Sequence, residues 1–133
     1  FAALFESSFY AESYLDRPPG YDAGFARGLE RPAAGIAVEH TLVRIDGVPA
    51  AIGTRVQGDD IAGLYNVGVA PRFRGRGLSS ALKAYRIARA LDAGARVVYE
   101  CTEDPAVEAR ELRRGFVRAF ELVGRSLGGT VFL

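Results

Sequence analysis

A glycine-rich segment between a predicted strand and a predicted helix constrains the fold of this chain more than any other feature. It runs from residue 66 to residue 80 and reads NVGVAPRFRGRGLSS. A strand that enters a tight loop opening directly into a helix points several backbone N–H groups, and the positive end of the helix dipole, at one place. The sequence therefore predicts an anion-binding site at this loop.

The side chains of the loop suit that chemistry. Gly75 and Gly77 let the backbone approach phosphate oxygens, and the hydroxyl of Ser79 or Ser80 can add a donor. Three arginines supply positive charge around the loop: Arg72, Arg74 and Arg76. The alternative, a simple turn with solvated arginines, stays open at this point. The spacing matches neither G-x-x-x-x-G-K-[ST] nor a G-x-G-x-x-G after a first strand, which disfavours nucleoside triphosphates and dinucleotides.

Size and composition are typical of one globular domain. The chain has 133 residues, of which 49% are hydrophobic and 25% charged. Its 17 basic and 16 acidic residues give a net charge of +1, so no nucleic-acid partner is expected. No apolar stretch approaches the roughly 20 residues of a membrane helix, so no membrane association is expected.

The cysteine content and the first residue add two expectations. Cys101 is the single cysteine, and there is no CxxC motif or Cys/His cluster. We therefore expect no disulfide, no metal site and a cytoplasmic location. Because the chain starts at Phe1 and contains no methionine, we expect residues 1–133 to be a single domain that is part of a longer protein.

Hydrophobic periodicity predicts the elements before the loop. Residues 1–14 read as an amphipathic helix, and a second helix is expected from Asp22 to Pro32. From His40 to residue 69 the pattern indicates three antiparallel strands. The turns between them are Asp46-Gly47 and Gly58-Asp59-Asp60.

The elements after the loop alternate helix and strand. A long helix is predicted with its apolar stripe at Leu78, Ala81, Leu82, Tyr85, Ala88 and Leu91, and with Gly94 as its cap. A strand follows at 97–102, and Asp104-Pro105 then begins a helix that ends at Gly115. Residues 116–127 read as closing strands. The expected fold is α/β, with a mostly antiparallel mixed sheet flanked by helices.

The strand and loop resemble the GNAT acetyltransferase superfamily, whose acetyl-CoA loop reads [RQ]-x-x-G-x-[GA] after a strand ending in V-x-V-x-P. Six residues match these two patterns: Val67, Val69, Pro71, Arg72, Gly75 and Gly77. The likeness extends over roughly residues 36–127. It implies a GNAT-like acyltransferase fold and acetyl-CoA as cosubstrate, and it places the family's first strand before Phe1, where it is missing.

The resemblance also implies roles for particular residues. Backbone amides of the loop from Arg72 to Ser80, which includes Leu78, would hold the CoA pyrophosphate. The strand edge at Val67, Gly68 and Val69 would pair with pantetheine, and the third strand would splay from the strand at 97–102 to admit the thioester. The N–H of Gly68 or Val69 would stabilise the oxyanion.

Two further positions depart from the family. Asp104 stands where the family has a pantetheine-contacting asparagine, and it also has the structural explanation of a helix N-cap. Glu111 stands where the family usually has a tyrosine acid, and its alternative is a surface ion pair with Arg110 or Arg114.

The remaining polar residues are weighed in the same way. Glu100 is a candidate general base, and the alternative is a solvated strand face. Asn66 and Tyr65 are weaker candidates to position substrate. We expect Cys101 to be a small buried residue and His40 to be structural.

The sequence therefore predicts an acetyl-CoA-dependent N-acetyltransferase that acts without a metal on a primary amine of a small molecule or peptide. The alternative is a catalytically weak CoA-binding module that forms one half of a two-domain protein. The absence of the family's tyrosine favours this alternative. A homodimer is left open.

Overall fold

Four strands form one mixed sheet in the computed structural model, which describes residues 33–121. They are β1 (Ile36–Ile45), β2 (Val48–Gly58), β3 (Ile61–Val69) and β4 (Val97–Tyr99), and they lie in that order. β1, β2 and β3 are antiparallel, whereas β4 runs parallel to β3. The predicted three-strand meander is confirmed. The helices predicted over 1–14 and 22–32 lie outside the described residues.

Local turn chemistry explains the two hairpins of the meander. Asp46 and Gly47 both have positive φ, 50° and 77°, as a two-residue turn between right-twisted strands requires. Asp59 also has a positive φ, of 41°. Aspartate tolerates this region better than most residues because its short side chain can bond locally to the backbone. Both predicted turns are confirmed.

The long helix α1 (Leu78–Asp92) packs against β2 and β3. Gly94, with a φ of 92°, follows its end as predicted. Its buried face differs from the predicted stripe, because four of the six stripe residues are exposed: Ala81, Tyr85, Ala88 and Leu91. The buried residues of the helix are Leu82, Lys83, Arg86 and Ala90. The helix can bury these two cations because both find partners on the sheet side.

Six of the ten buried hydrophobic residues described are alanines. Near the loop, Phe73 packs with Ala50 and Ala70. Toward the other end of α1, Ala90 packs with Ala62 of β3 and with Ala95. Alanine at these positions lets the helix lie close to the sheet. The packing of Phe73 thereby anchors the glycine loop between the end of β3 and the start of α1.

A separate compact unit begins at Thr102 and contains α2 (Pro105–Arg113). Asp104 is its N-cap, because its side chain accepts a hydrogen bond from the N–H of Ala106 at 2.8 Å. Gly115 follows the helix with a φ of 96°. Residues 116–121 are neither strand nor helix, so the closing strand predicted from 116 does not form there. The rest of that prediction lies beyond the described residues.

Two smaller findings complete the description. Cys101 is exposed, so the expectation that it is buried was wrong. The reason is that β4 ends at Tyr99, which leaves Cys101 outside the sheet ladder. Neither helix described between residues 33 and 121 is long and apolar enough to cross a membrane.

Candidate functional site

β3 and β4 separate where the resemblance places the thioester. β3 pairs with β2 along its whole length, from Ile61 to Val69. It pairs with β4 only at Ile61, Ala62 and Gly63, where Gly63 faces Tyr99. Within residues 33–121, the second edge of β3 is therefore without a neighbouring strand from residue 64 onward. The expected splay between the two strands is present.

A β-bulge lies on β3 within this open stretch. Tyr65 pairs with Thr54 and Gly68 pairs with Ile52, so two residues of β3 face a single residue of β2. Asn66, the first of those two, has a φ of 54°. Asparagine is among the residues that adopt this left-handed region at low cost. The bulge changes the direction of the β3 backbone just before the glycine loop.

The hydrogen-bond alternation of the ladder tells which amides face the open edge. The N–H of Ala70 donates to the carbonyl of Ala50 at 2.9 Å. In an antiparallel pair, every second residue points both backbone groups at its partner strand. Gly68 therefore faces β2, and Val69 faces the open edge. The Nε of Arg74 donates to the carbonyl of Val69 at 3.2 Å, as this orientation requires.

A buried aromatic ring lies at the start of the loop. A short 3-10 turn, Pro71–Phe73, buries the ring of Phe73 beneath it. The guanidinium carbons of Arg72 and Arg76 lie 4.9 and 5.6 Å from the centre of that ring. Both arginines remain exposed, as Arg74 does. Positive charge is thereby concentrated at the entrance to α1.

The two loop glycines adopt conformations that few other residues could. Gly75 and Gly77 have φ values of 75° and 76°. A Cβ at either position would meet nothing within 4 Å, so the space beside the backbone is free for a ligand. Gly77 is the N-cap of α1 and makes no side-chain cap, which leaves first-turn N–H groups directed outward.

Beneath the open edge, α1 carries two buried cations that the sequence analysis did not single out. Arg86 donates from Nη1 to the carbonyls of Thr54 and Tyr65 at 2.9 and 3.0 Å. Burial lowers the pKa of the Arg86 guanidinium below its usual range. The available signal was the spacing of Leu82, Arg86 and Ala90, which puts an arginine between two apolar residues on one helix face.

The second buried cation holds the candidate base. The Nζ of Lys83 lies 2.7 Å from Oε1 of Glu100, and the two side chains are only 8% and 14% exposed. The alternative that Glu100 lies on a solvated strand face is therefore wrong. Val98 packs toward Ala90 of α1, and Glu100, two residues on, reaches the same helix.

The opposite face of the sheet carries a polar group of side chains beside the bulge. The hydroxyls of Tyr65 and Tyr99 are hydrogen-bonded, and their rings meet edge to face at 6.0 Å. Burial raises the pKa of Tyr65, so this phenol stays protonated at neutral pH. Nδ1 of His40 and Nδ2 of Asn66 lie 3.0 and 3.5 Å from Oγ1 of Thr54.

Glu111 lies in the unit that begins at Thr102. Its carboxylate is 2.9 Å from Nε of Arg110 and 3.1 Å from Nη1 of Arg114, as the ion-pair alternative predicts. The side chain is only 5% exposed, so the expected surface position was wrong. The two guanidinium groups compensate the burial of this carboxylate.

Within residues 33–121 there is no group of three or more His, Cys, Asp or Glu side chains that could hold a metal ion. Tyr65, Asn66 and Tyr99 lie beside the open edge of β3, and three exposed arginines lie on the glycine loop. Such an arrangement can bind an extended, phosphorylated ligand through backbone groups.

Solved structures with this fold include several acetyltransferases. Glucosamine-6-phosphate N-acetyltransferase from Arabidopsis thaliana is 12% identical, with a TM-score of 0.67 over 96% of this chain and 88% of that one. The aminoglycoside N-acetyltransferase AAC(6')-Iy, solved with a CoA bisubstrate analogue, is 14% identical, with a TM-score of 0.69 over 94% and 87%. A tandem GNAT protein from clavulanic acid biosynthesis is 18% identical, with a TM-score of 0.68 over 86% and 38%.

No protein of curated function matches the chain in sequence. The model of the acetyltransferase (GNAT) family, however, matches residues 2–116. That match contains the whole sheet, the glycine loop and both described helices. The chain is therefore a member of the acetyltransferase (GNAT) family, whose reaction is acetyl transfer from acyl-CoA.

Proposed function

We propose that this protein transfers an acetyl group from acetyl-CoA to a primary amine. The observation that carries the proposal is the open edge of β3, whose last residue, Val69, directly precedes the glycine loop. An extended ligand that pairs with this edge would reach the start of α1 with its next group. Pantetheine joined to a pyrophosphate has that shape.

The described residues fit CoA at both parts of this path. The C=O of Val69 would accept a hydrogen bond from an amide N–H of pantetheine, as an added strand does, and its N–H would remain for the thioester. The loop from Arg72 to Ser80 would receive the pyrophosphate on N–H groups at the start of α1. Arg74 would have to leave the carbonyl of Val69, and its guanidinium would then be free to approach the phosphates.

Bound acetyl-CoA supplies a thioester whose carbonyl carbon an amine can attack. An N–H of the open edge would stabilise the negative charge that develops on the carbonyl oxygen. Of the two predicted donors, the ladder geometry favours Val69 over Gly68. The polar face with Tyr65, Tyr99 and Asn66 is the side from which we expect the acceptor amine to approach.

Neither candidate carboxylate is assigned to proton transfer, because each is paired with cations. Glu100 is occupied by Lys83, and Glu111 by Arg110 and Arg114. We therefore assign both glutamates to structure. The proton of the amine, and the proton that the thiolate takes up, would be exchanged with water.

A second candidate function is a CoA-binding module with weak catalysis. The paired state of Glu111, at the position of the family's tyrosine, favours it. The tandem GNAT protein, of which a chain like this covers 38%, shows that two such domains occur in one polypeptide. Turnover with an amine distinguishes this module from the enzyme.

Ligand class is tested first by thermal denaturation. We expect CoA to raise the melting temperature and ATP with magnesium to leave it unchanged, because the loop lacks the lysine of a P-loop. Stabilisation by ATP with magnesium and none by CoA would contradict the proposal. Amino sugars are the first acceptors to test, because two of the similar structures carry the names of enzymes acting on amino sugars or aminoglycosides.

A further inference from the structure

Arg86 occupies an unusual position for a charged residue. It has no exposed surface, and it lies under the last pair of residues before the β3 bulge, Thr54 and Tyr65. One nitrogen, Nη1, donates to the carbonyls of both, so a single group joins β2 and β3 at that point. Its Nε and Nη2 are buried and have no hydrogen-bond partner in the described part of the chain.

A cation in this position is not the most stable choice. Burying charged groups with unpaired N–H donors has a cost that an apolar side chain of similar size would avoid. Gly53, which faces the bulge, also serves the arginine, since a Cβ there would lie 2.9 Å from the guanidinium carbon. The residues at positions 53 and 86 therefore both accommodate a guanidinium where an apolar side chain could pack.

We propose that Arg86 is a positioning residue that fixes the bulge of β3 and thereby directs the backbone groups of Val69 toward the open edge. When a strand slips by one residue, the residues whose N–H and C=O faced the neighbouring strand turn away from it, and the residues between them turn toward it. If the bulge were lost, Val69 would face β2 instead of the ligand. Arg86 opposes that slip because it binds a carbonyl on each strand immediately before the extra residue.

This inference rests on the proposed function, since Val69 matters only if a ligand pairs with it. A substitution that lets the bulge relax should weaken binding of pantetheine but leave the phosphate loop intact. CoA contains both parts of the ligand, whereas adenosine 3'-phosphate 5'-diphosphate has the nucleotide and the pyrophosphate without pantetheine. The comparison of these two probes therefore separates the bulge from the loop.

The test uses Arg86→Met, with Arg89→Met as the matched control. Arg89 is one turn further along α1 and pairs with Glu39 on the exposed side. We expect Arg86→Met to weaken CoA binding at least tenfold and to change binding of adenosine 3'-phosphate 5'-diphosphate by less than threefold. Arg89→Met should change neither by more than threefold. A general loss of structure would weaken both ligands equally, and that result, or CoA binding at the wild-type level, would overturn the inference.

Hydrogen exchange provides a readout that needs no ligand. In Arg86→Met, amides of residues 64–69 should exchange at least tenfold faster than in wild type, with β1 amides unchanged. Equal rates would overturn the inference. If neither probe binds wild type, the proposed function fails while this measurement still decides the role of Arg86. If Arg86→Met does not fold, the same measurements on Arg86→Lys apply, because lysine keeps the charge and loses the planar fork.

Discussion

The ammonium of Lys83 and the carboxylate of Glu100 are 2.7 Å apart and both largely buried, which links α1 to the residue after β4. The pair thus connects α1 to the chain just beyond β4, where β4 is no longer paired with β3. Because neither charge is well solvated, each helps to compensate the burial of the other. This contact shows that Glu100 does not lie on a solvated strand face.

Glu100→Gln tests this role through stability. The substitution removes the carboxylate charge from a largely buried ion pair and should lower the free energy of unfolding by about 3 kcal/mol. Urea denaturation measures the change. The double variant Lys83→Met/Glu100→Leu removes both charges and should lose less than Glu100→Gln does. A loss below about 0.5 kcal/mol in Glu100→Gln, the level of an exposed pair, would contradict the burial of this interaction.

Gly75→Val tests the conformation of the loop. A Cβ at Gly75 meets nothing within 4 Å, so the expected cost comes from its φ of 75° and not from a clash. An L-residue in the left-handed region costs about 1–2 kcal/mol, and a β-branched one more. The loop should therefore relax, and CoA affinity should fall about tenfold, which corresponds to about 1.4 kcal/mol.

The matched control for that substitution is Gly75→Asn. Asparagine adds a side chain of similar size and tolerates positive φ. We expect it to keep CoA affinity within about threefold of wild type, which corresponds to less than 1 kcal/mol. Calorimetry measures both. If valine binds CoA as well as glycine does, the left-handed conformation is not needed for binding.

Glu39 predicts a specific dependence of stability on pH. The hydrogen bond from Arg89, with further contributions from Arg55, lowers the pKa of Glu39 against the opposing effect of burial. A lowered folded-state pKa contributes stability above the unfolded pKa, about 4.3, and this contribution is lost as pH falls through the folded value. Glu39→Gln should therefore destabilise the protein at pH 7 and make much less difference near pH 2.

Asp60→Asn is the control for this pH dependence. Asp60 lies 3.9 Å from Arg96, and both side chains are exposed. An exposed pair of this kind contributes about 0–1 kcal/mol, so the substitution should have a small effect at either pH. Urea denaturation at pH 7 and at low pH compares the two variants. Equal effects of Glu39→Gln at both values would show that its carboxylate is not stabilised in the folded state.

Glu111→Gln separates a structural carboxylate from a catalytic acid. Because Arg110 and Arg114 hold this group, we expect single-turnover rates within about threefold of wild type, whereas general acid catalysis contributes about 10² to 10⁴. Acetyl-CoA affinity is measured in parallel to show that the variant is folded. A hundredfold lower rate with unchanged affinity would identify Glu111 as the acid.

The features that sequence predicts well are those set by neighbours along the chain. Asp46-Gly47 makes its turn because both residues accept positive φ, and Asp104 caps its helix through an N–H two residues away. Gly75 and Gly77 have the predicted freedom for the same local reason. Periodicity was sufficient to find β3 and the long helix.

The features that sequence did not reveal depend on contacts between distant residues. The partners of Arg86 are backbone carbonyls on two strands, 32 and 21 positions away. The sequence does not show which backbone carbonyls can accept a hydrogen bond from a buried arginine. The prediction from hydrophobicity therefore put Tyr85 and Leu91 on the buried face of the helix, and both are exposed. The burial of Lys83 depends in the same way on Glu100, which reaches it only once β4 has joined the sheet.

The central claim, that this chain transfers acetyl from acetyl-CoA to an amine, is tested most directly by the release of free CoA thiol. Wild-type protein is incubated with acetyl-CoA and a panel of amino sugars, aminoglycosides, small amines and peptides, and thiol is followed by a colorimetric reagent. We expect thiol release that requires both protein and one class of amine, with an equal amount of N-acetylated product by mass spectrometry. Tight binding of acetyl-CoA, with thiol released no faster than in buffer for every amine in the panel, would contradict it and identify the chain as a binding module.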